Sequence, residues 1–212
     1  MNHKLIIFDL DGTIIDSDPT VLTIVNMLRQ KRGLTPLEHS KAKDALALGG
    51  ESLISQLIPN TNIKKVLNEF RGNYLNCSLK DERMFPFVRD LLVSLKQKKY
   101  FLSIVTNKPK VLVEKVIKYH DIEKFFDHII TGCDVLAKKP NPEGLFKTIN
   151  FFKLQNKEVL YIGDNIIDYQ ASVNAGVNFM MFDYLDQFKT SKNISKSIEK
   201  FNKYEELLKV NL

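Results

Sequence analysis

Residues 5–18 read LIIFDLDGTIIDSD. An apolar run, Leu5 to Phe8, is followed within ten positions by four aspartates, Asp9, Asp11, Asp16 and Asp18. A short apolar run rich in β-branched residues predicts a strand covered on both faces, here Leu5–Asp9. Carboxylates this close repel one another, and an ordinary loop has no use for them. A hard cation would relieve the repulsion. Magnesium prefers a few carboxylates, several waters and a substrate phosphate. Gly12 permits a tight turn or a close backbone approach behind the first pair.

Further along the chain the same kind of run recurs at Phe101–Thr106, His128–Thr131, Val159–Ile162 and Phe179–Phe182. Helix patterns lie between these runs, at Val88–Lys98, Pro109–Tyr119, Pro142–Phe152 and Asn165–Ala175. Two of the four open on proline, which suits a first helical turn, and the last stops at Gly176. Strands alternating with helices predict an α/β fold, a doubly wound, mostly parallel Rossmann-like sheet. The stretch from Asp16 to Asp81 breaks the alternation. It carries helical faces at Val21, Leu22, Val25 and Leu28, at Leu53, Ile54, Leu57 and Ile58, and at Ile63, Val66, Leu67 and Phe70. A turn is expected at Gly49-Gly50, and no strand is expected anywhere in the stretch. The predicted organisation is a core of residues 1–15 and 84–212, with a helical domain inserted at 16–83. The tail from Tyr184 is polar and then helical through Tyr204, Leu207 and Leu208.

The 212-residue chain is 44% hydrophobic, enough for a substantial core. Its net charge of +6 comes from dispersed lysines, with mild clusters at Lys96–Lys99 and Lys189–Lys203. No nucleic-acid motif accompanies them, so a solvated surface that favours an anionic small molecule is expected. Cys77 and Cys133 lack metal-ligand spacing and read as reduced thiols of a cytoplasmic protein. No apolar stretch approaches a membrane span. No heptad or strand pattern demands a partner subunit, so a monomer is expected.

Ligands of an open parallel sheet bind beyond the carboxyl ends of its strands. The unusual polar residues sit there: Asp9 and Asp11 after the first strand, Thr106, Asn107 and Lys108 after the second, Asp164 and Asp168 after the fourth. Lys139-Pro140 precedes the Pro142 helix. Each signal has a plainer alternative. The DxDG pattern also occurs in calcium loops, but those sit between helices and carry more oxygen ligands downstream. Thr106 could cap the next helix, and Lys139 is one lysine among many. Asp16 and Asp18 read as helix-capping residues, with Ser17 or Asp18 as the cap itself. Asp164 and Asp168, four residues apart, share a helix face, and acidic residues suit a helix N-terminus.

Taken together, DLDGT at Asp9–Thr13, the threonine of IVTNK at Thr106, the lysine of KKPNPEG at Lys139, and GDNIID at Gly163–Asp168 resemble the haloacid-dehalogenase superfamily. VTNKP and KPNP most resemble its phosphoglycolate-phosphatase-like branch, and the insert resembles its α-helical cap. The resemblance implies a magnesium-dependent phosphatase acting on a small phosphorylated metabolite. It implies Asp9 as nucleophile and Asp11 as general acid and base. Magnesium would be held by Asp9, the carbonyl of Asp11 and Asp164. Phosphate would be held by Lys139, Thr106 and backbone donors at Leu10 and Asn107. Asp168 would orient Lys139 or a metal-bound water.

Asp11 argues against dehalogenation, since a halide needs no acid. A sugar phosphomutase of the β-phosphoglucomutase type, a pyrophosphatase, a phosphonatase and a non-catalytic binding scaffold are the rivals. Asp168 tilts the comparison toward hydrolysis. Substrate choice is expected from the cap loop Lys43–Glu51 (KDALALGGE), with Lys43, Gly50 and Glu51 as candidates; an ordinary turn between helices is the plainer reading.

Overall fold

The computed structural model describes residues 3–184, 198–210 and 212, except for the side chains at 43, 44, 47 and 48. Strand β1 (Leu5–Phe8) lies at the centre of a parallel sheet. A two-residue strand β2 (Ile15–Asp16) then leads into the helical insert. The insert comprises α1 (Asp18–Gln30), α2 (His39–Leu48), α3 (Gly50–Leu57) and α4 (Ile63–Asn76). It returns through β3 (Arg83–Met84), which pairs antiparallel with β2, Ile15 opposite Met84 and Asp16 opposite Arg83. The chain continues as α5 (Val88–Gln97), β4 (Phe101–Val105), α6 (Lys110–Tyr119) and β5 (His128–Ile130). Then follow α7 (Glu143–Phe152), β6 (Val159–Gly163), α8 (Ile166–Ala175), β7 (Asn178–Phe182), β8 (Glu199–Phe201) and α9 (Tyr204–Leu208).

The sheet order is β5-β4-β1-β6-β7-β8, the order of a doubly wound fold. Beside β1, Phe8 is level with Ile104 of β4 and with Ile162 of β6. Asp9, Thr106 and Asp164 therefore emerge at one edge, at the point where the chain reverses direction across the sheet. The two-residue period of β1 divides the core. Leu5 and Ile7 pack with Leu145 and Ile149 of α7 and with Ala171 and Ala175 of α8. Ile6 and Phe8 face α5, α6 and α9, and that apolar cluster continues into the insert through Ile24, Ile54 and Phe70. Each leucine, isoleucine or phenylalanine among them contributes roughly 1.5–3 kcal/mol when fully buried.

The five expected strands and the four core helices are present, with ends within a residue or so of expectation, and Gly49 and Gly50 both take positive φ between α2 and α3. Five details differ. The pair β2–β3 lies at the two exits of the insert, where no strand was expected; two residues are too few to show a period. Strand β8 extends the sheet beyond β7 with only Phe201 buried, so it lacks an apolar run to betray it. In α1 the buried stripe is Thr20, Ile24, Val25 and Leu28, with Val21 and Leu22 only partly buried. Ser17 occupies the N-cap position of α1 but makes no side-chain capping bond. The stretch 43–51 is not a loop; all but Gly49 belongs to α2 or α3. No helix of the described residues is long and apolar enough to cross a membrane, and Cys77 and Cys133 are unbridged. Residues 185–197 of the polar tail, including Lys189, lie outside the described residues.

Candidate active site

Beyond the carboxyl edge of the sheet, between it and the insert, lies a cleft of about 690 Å³. Asp9, Asp11, Thr106, Asn107, Lys139 and Asp164 line its floor, and Gly50, Glu51, Arg71 and Tyr74 of the insert line its roof. The expected site residues therefore converge. The Lys43 side chain lies outside the described residues.

At the floor, one ligand oxygen from each of Asp9, Asp164 and Asp168 falls within 4.8 Å of the others. Lys139 is the cation among them. Its Nζ lies 2.9 Å from Asp9 Oδ1 and 2.6 Å from Asp168 Oδ1, and it donates to the Tyr161 hydroxyl at 2.8 Å. Tyr161 in turn donates to Asp168 Oδ1 at 2.7 Å. The other oxygen of Asp168 accepts the Asn165 backbone N–H at 3.1 Å, which closes the first turn of α8. Asp168 is thus saturated by protein donors. Asp164 is not: its Oδ1 accepts from Thr13 Oγ1 at 2.8 Å, and its Oδ2 faces Gly12.

The charges do not balance. Burial pushes the Asp9 carboxyl up to about 7 against the pull of Lys139, with Asp168 adding to the rise. Burial, then Asp168 and Asp9, raise Asp164 well above the ordinary carboxylate value. Burial draws Lys139 down, but Asp168 and Asp9 outweigh it and hold its ammonium above the usual lysine value. Three carboxylates beside one lysine form an oxygen-rich pocket short of positive charge, which suits a hard divalent cation. Asp9 and Asp164 have the oxygens to hold one.

Gly12 explains why this loop is tight. It has φ +76°, and a Cβ there would stand 2.2 Å from Asp164 Oδ2. Gly163 has a similar role: a Cβ would stand 2.6 Å from the Cβ of Asp168. Leu10 is fully buried, and its carbonyl accepts the N–H groups of Ile14 and Ile15 at 2.9 and 3.0 Å. Thr106 is buried, with its hydroxyl accepting the Lys108 N–H at 3.2 Å. Asn107 was expected to supply a backbone donor. Its side chain also clamps the lysine segment, donating to the Lys139 carbonyl at 3.1 Å and accepting the Lys139 N–H at 2.9 Å.

Asp11 stands apart from the carboxylate cluster. Its Oδ1 accepts from Lys108 Nζ at 2.7 Å. Tyr161, the Asn107 side chain and Tyr204 are site residues that sequence reasoning missed, and Lys108, placed at the end of the second strand, had been given no role. Tyr204, on α9, donates its hydroxyl to the Thr13 carbonyl at 2.9 Å and props the first loop from beneath. Only Tyr161 left a signal, a polar tip inside the otherwise apolar strand β6.

Residues 6–182 match the haloacid dehalogenase-like hydrolase family. A phosphoglycolate phosphatase of Aliivibrio fischeri is 30% identical over 191 residues, 85% of this chain and 84% of that protein. The crystal structure of a predicted phosphoglycolate phosphatase from Haemophilus somnus superposes with a TM-score of 0.76 at 26% identity, over 87% of each chain. A Lactobacillus plantarum structure shares the fold over 98% of this chain and 99% of its own, with a TM-score of 0.83 at 20% identity. Fold and relatives together define a phosphatase, a hydrolase of phosphoric monoesters. The chain belongs to the haloacid dehalogenase-like hydrolase family and is similar to its phosphoglycolate-phosphatase branch.

Proposed function

We propose that this chain is a magnesium-dependent phosphatase that cleaves a small phosphate monoester, phosphoglycolate-like or a sugar phosphate, through an aspartyl-phosphate on Asp9. The observation that carries this is the group of Asp9, Asp164, Asp168 and Lys139 at the reversal point of a parallel sheet. Asp9, Asp164 and the Asp11 carbonyl would hold the magnesium. Bound there, the ion would shield an incoming phosphate from the carboxylates and neutralise developing negative charge.

Asp9 attacks phosphorus with a carboxylate oxygen. The bond to the leaving oxygen breaks, and Asp11 gives that oxygen its proton. Asp11, now a carboxylate, takes a proton from water as the water attacks the phospho-Asp9. The bond to Asp9 breaks, and inorganic phosphate and the original Asp9 are restored. Lys139 and Thr106 hold the phosphate oxygens, with the Leu10 and Asn107 amides beside them. Asp168 and Tyr161 keep the Lys139 ammonium facing Asp9.

Residues 16–83 act as the cap over a core of 1–15 and 84–212. The closed β2–β3 pair at its two exits supports that division. Gly50 and Glu51 are the cap residues for substrate choice, supported by their place on the roof. The enzyme works as a monomer in the cytoplasm, with no nucleic acid or membrane partner. The test is phosphate release from a panel of small esters, with magnesium and then with excess chelator, for wild type beside Asp9→Asn. Release that requires both metal and Asp9 is expected. Substantial turnover by Asp9→Asn would remove the nucleophile assignment.

A further inference from the structure

Asp11 leaves the cluster of its neighbours and joins a second polar chain that crosses from core to insert. Lys108 Nζ, with only 7% of its side chain exposed, donates to Asp11 Oδ1 at 2.7 Å and to the Tyr74 hydroxyl at 2.8 Å. Tyr74 sits on α4 of the insert and is buried. Its hydroxyl donates onward to Glu82 Oε1. Glu82 is also buried, in the segment that returns from the insert to the core, and its other oxygen lies 3.9 Å from His120 Nε2. Lys108 Nζ further lies 4.4 Å from the centre of the Tyr74 ring.

The end of α4 that carries Tyr74 is itself held by the core. Lys115 of α6 donates to the carbonyls of Tyr74, Leu75 and Cys77 at 2.7, 2.9 and 2.6 Å. A cation there satisfies carbonyls that the helix leaves unpaired. The chain from Asp11 to Glu82 is continuous: Lys108 Nζ donates to Asp11 and to the Tyr74 hydroxyl, and Tyr74 donates to Glu82. Lys108 can hold its position against Asp11 only while Tyr74 and Glu82 hold theirs, because a buried ammonium needs all its partners. Nothing in the proton transfer from Asp11 to a leaving oxygen requires Tyr74 or Glu82, so their contribution is one of placement.

We propose that Lys108, Tyr74 and Glu82 form a positioning relay that aims the Asp11 carboxyl at the leaving oxygen when the insert is seated on the core. The proposal rests on the role given to Asp11 above. Tyr74 and Glu82 are positioning residues that act through Lys108, and the relay makes proton donation depend on the seating of α4.

The test is kcat/KM across phosphate esters whose leaving groups range from alkoxides to p-nitrophenolate. This constant reports steps up to the first irreversible one, the departure of the leaving group. A p-nitrophenolate needs no proton to leave, whereas an alkoxide does. The expected result for Tyr74→Phe is a fall of about ten- to a hundred-fold on alkyl phosphates, a much smaller fall on p-nitrophenyl phosphate, and hence a steeper dependence on leaving-group pKa. Lys108→Met and Glu82→Gln should steepen it likewise and provide the answer if Tyr74→Phe folds poorly. Asp11→Asn sets the limiting slope, and Asp9→Asn should be inactive throughout. Relay variants that lose rate equally on every ester, or not at all, while Asp11→Asn keeps its steep slope, would overturn the relay alone. An active Asp9→Asn, or an Asp11→Asn with no change of slope, would overturn the chemistry beneath it.

Discussion

Lys139 and Asp168 form a buried ion pair, Nζ to Oδ1 at 2.6 Å, with 4% and 0% of their side chains exposed. The Asp168 carboxylate takes three donors at once: Lys139 Nζ, the Tyr161 hydroxyl and the Asn165 N–H. A carboxamide has one acceptor oxygen and cannot do so. Asp168→Asn should cost about 3 kcal/mol of stability, as breaking a buried pair does, and should depress turnover because Lys139 loses its bearing. Chemical denaturation would measure the first effect. The loss in an Asp168→Asn, Lys139→Met double variant should be smaller than the sum of the single losses. Simple additivity would show that the pair is not coupled.

Gly12→Ala places a methyl where Asp164 Oδ2 now stands, at a backbone φ of +76°. The strain should cost about 1–3 kcal/mol. Asp164 must move to admit the methyl, so magnesium affinity should fall as well. Metal titration followed by thermal unfolding would detect both. An alanine variant with unchanged metal affinity would mean that Asp164 does not hold the ion.

Metal removal should lower stability in the absence of any substrate. Asp9 and Asp164 are raised by burial first and then by the nearby Asp168, and a bound cation relieves that cost in the folded state only. At a hundred times its dissociation constant, magnesium should add about 2.7 kcal/mol. The shift in Tm between saturating magnesium and excess chelator should disappear in Asp164→Asn. An equal shift in that variant would locate the ion elsewhere.

Tyr204→Phe leaves the buried Thr13 carbonyl without its 2.9 Å donor. The expected cost is about 1–3 kcal/mol. Thr13 also donates to Asp164, so turnover should fall with stability, although Tyr204 lies on α9, far in sequence from the motif segments. Denaturant unfolding and phosphate release on the same preparation would show whether the two move together.

Several features were legible in the chain because they are written locally. Leu5–Phe8 announces a covered strand through its own residue types, and Asn165–Gly176 announces a helix through its stop at Gly176. The insert was legible through its helical spacing, and the four motif segments through their order behind strands. The short strands β2, β3 and β8 were not, because two or three residues are too few to carry a periodic signal. That Ser17 makes no side-chain capping bond was not legible either, because side-chain direction at a strand-to-helix junction is not a sequence property.

The sequence by itself determined the doubly wound class, the place of the helical insert and the strand ends at which polar residues gather. Those follow from periodicity, turn chemistry and short motifs, which operate over a few residues. Only the tertiary structure decided the partners: Thr13 with Asp164 across 151 residues, Lys108 with Asp11 across 97, and Tyr204 with Thr13 across 191. The level register of β4, β1 and β6 brings the first two pairs to one edge, and the docking of α9 brings the third. A lysine or tyrosine in the chain looks the same whether it meets water or a buried carboxylate, because its role is set by packing between segments that no local window contains.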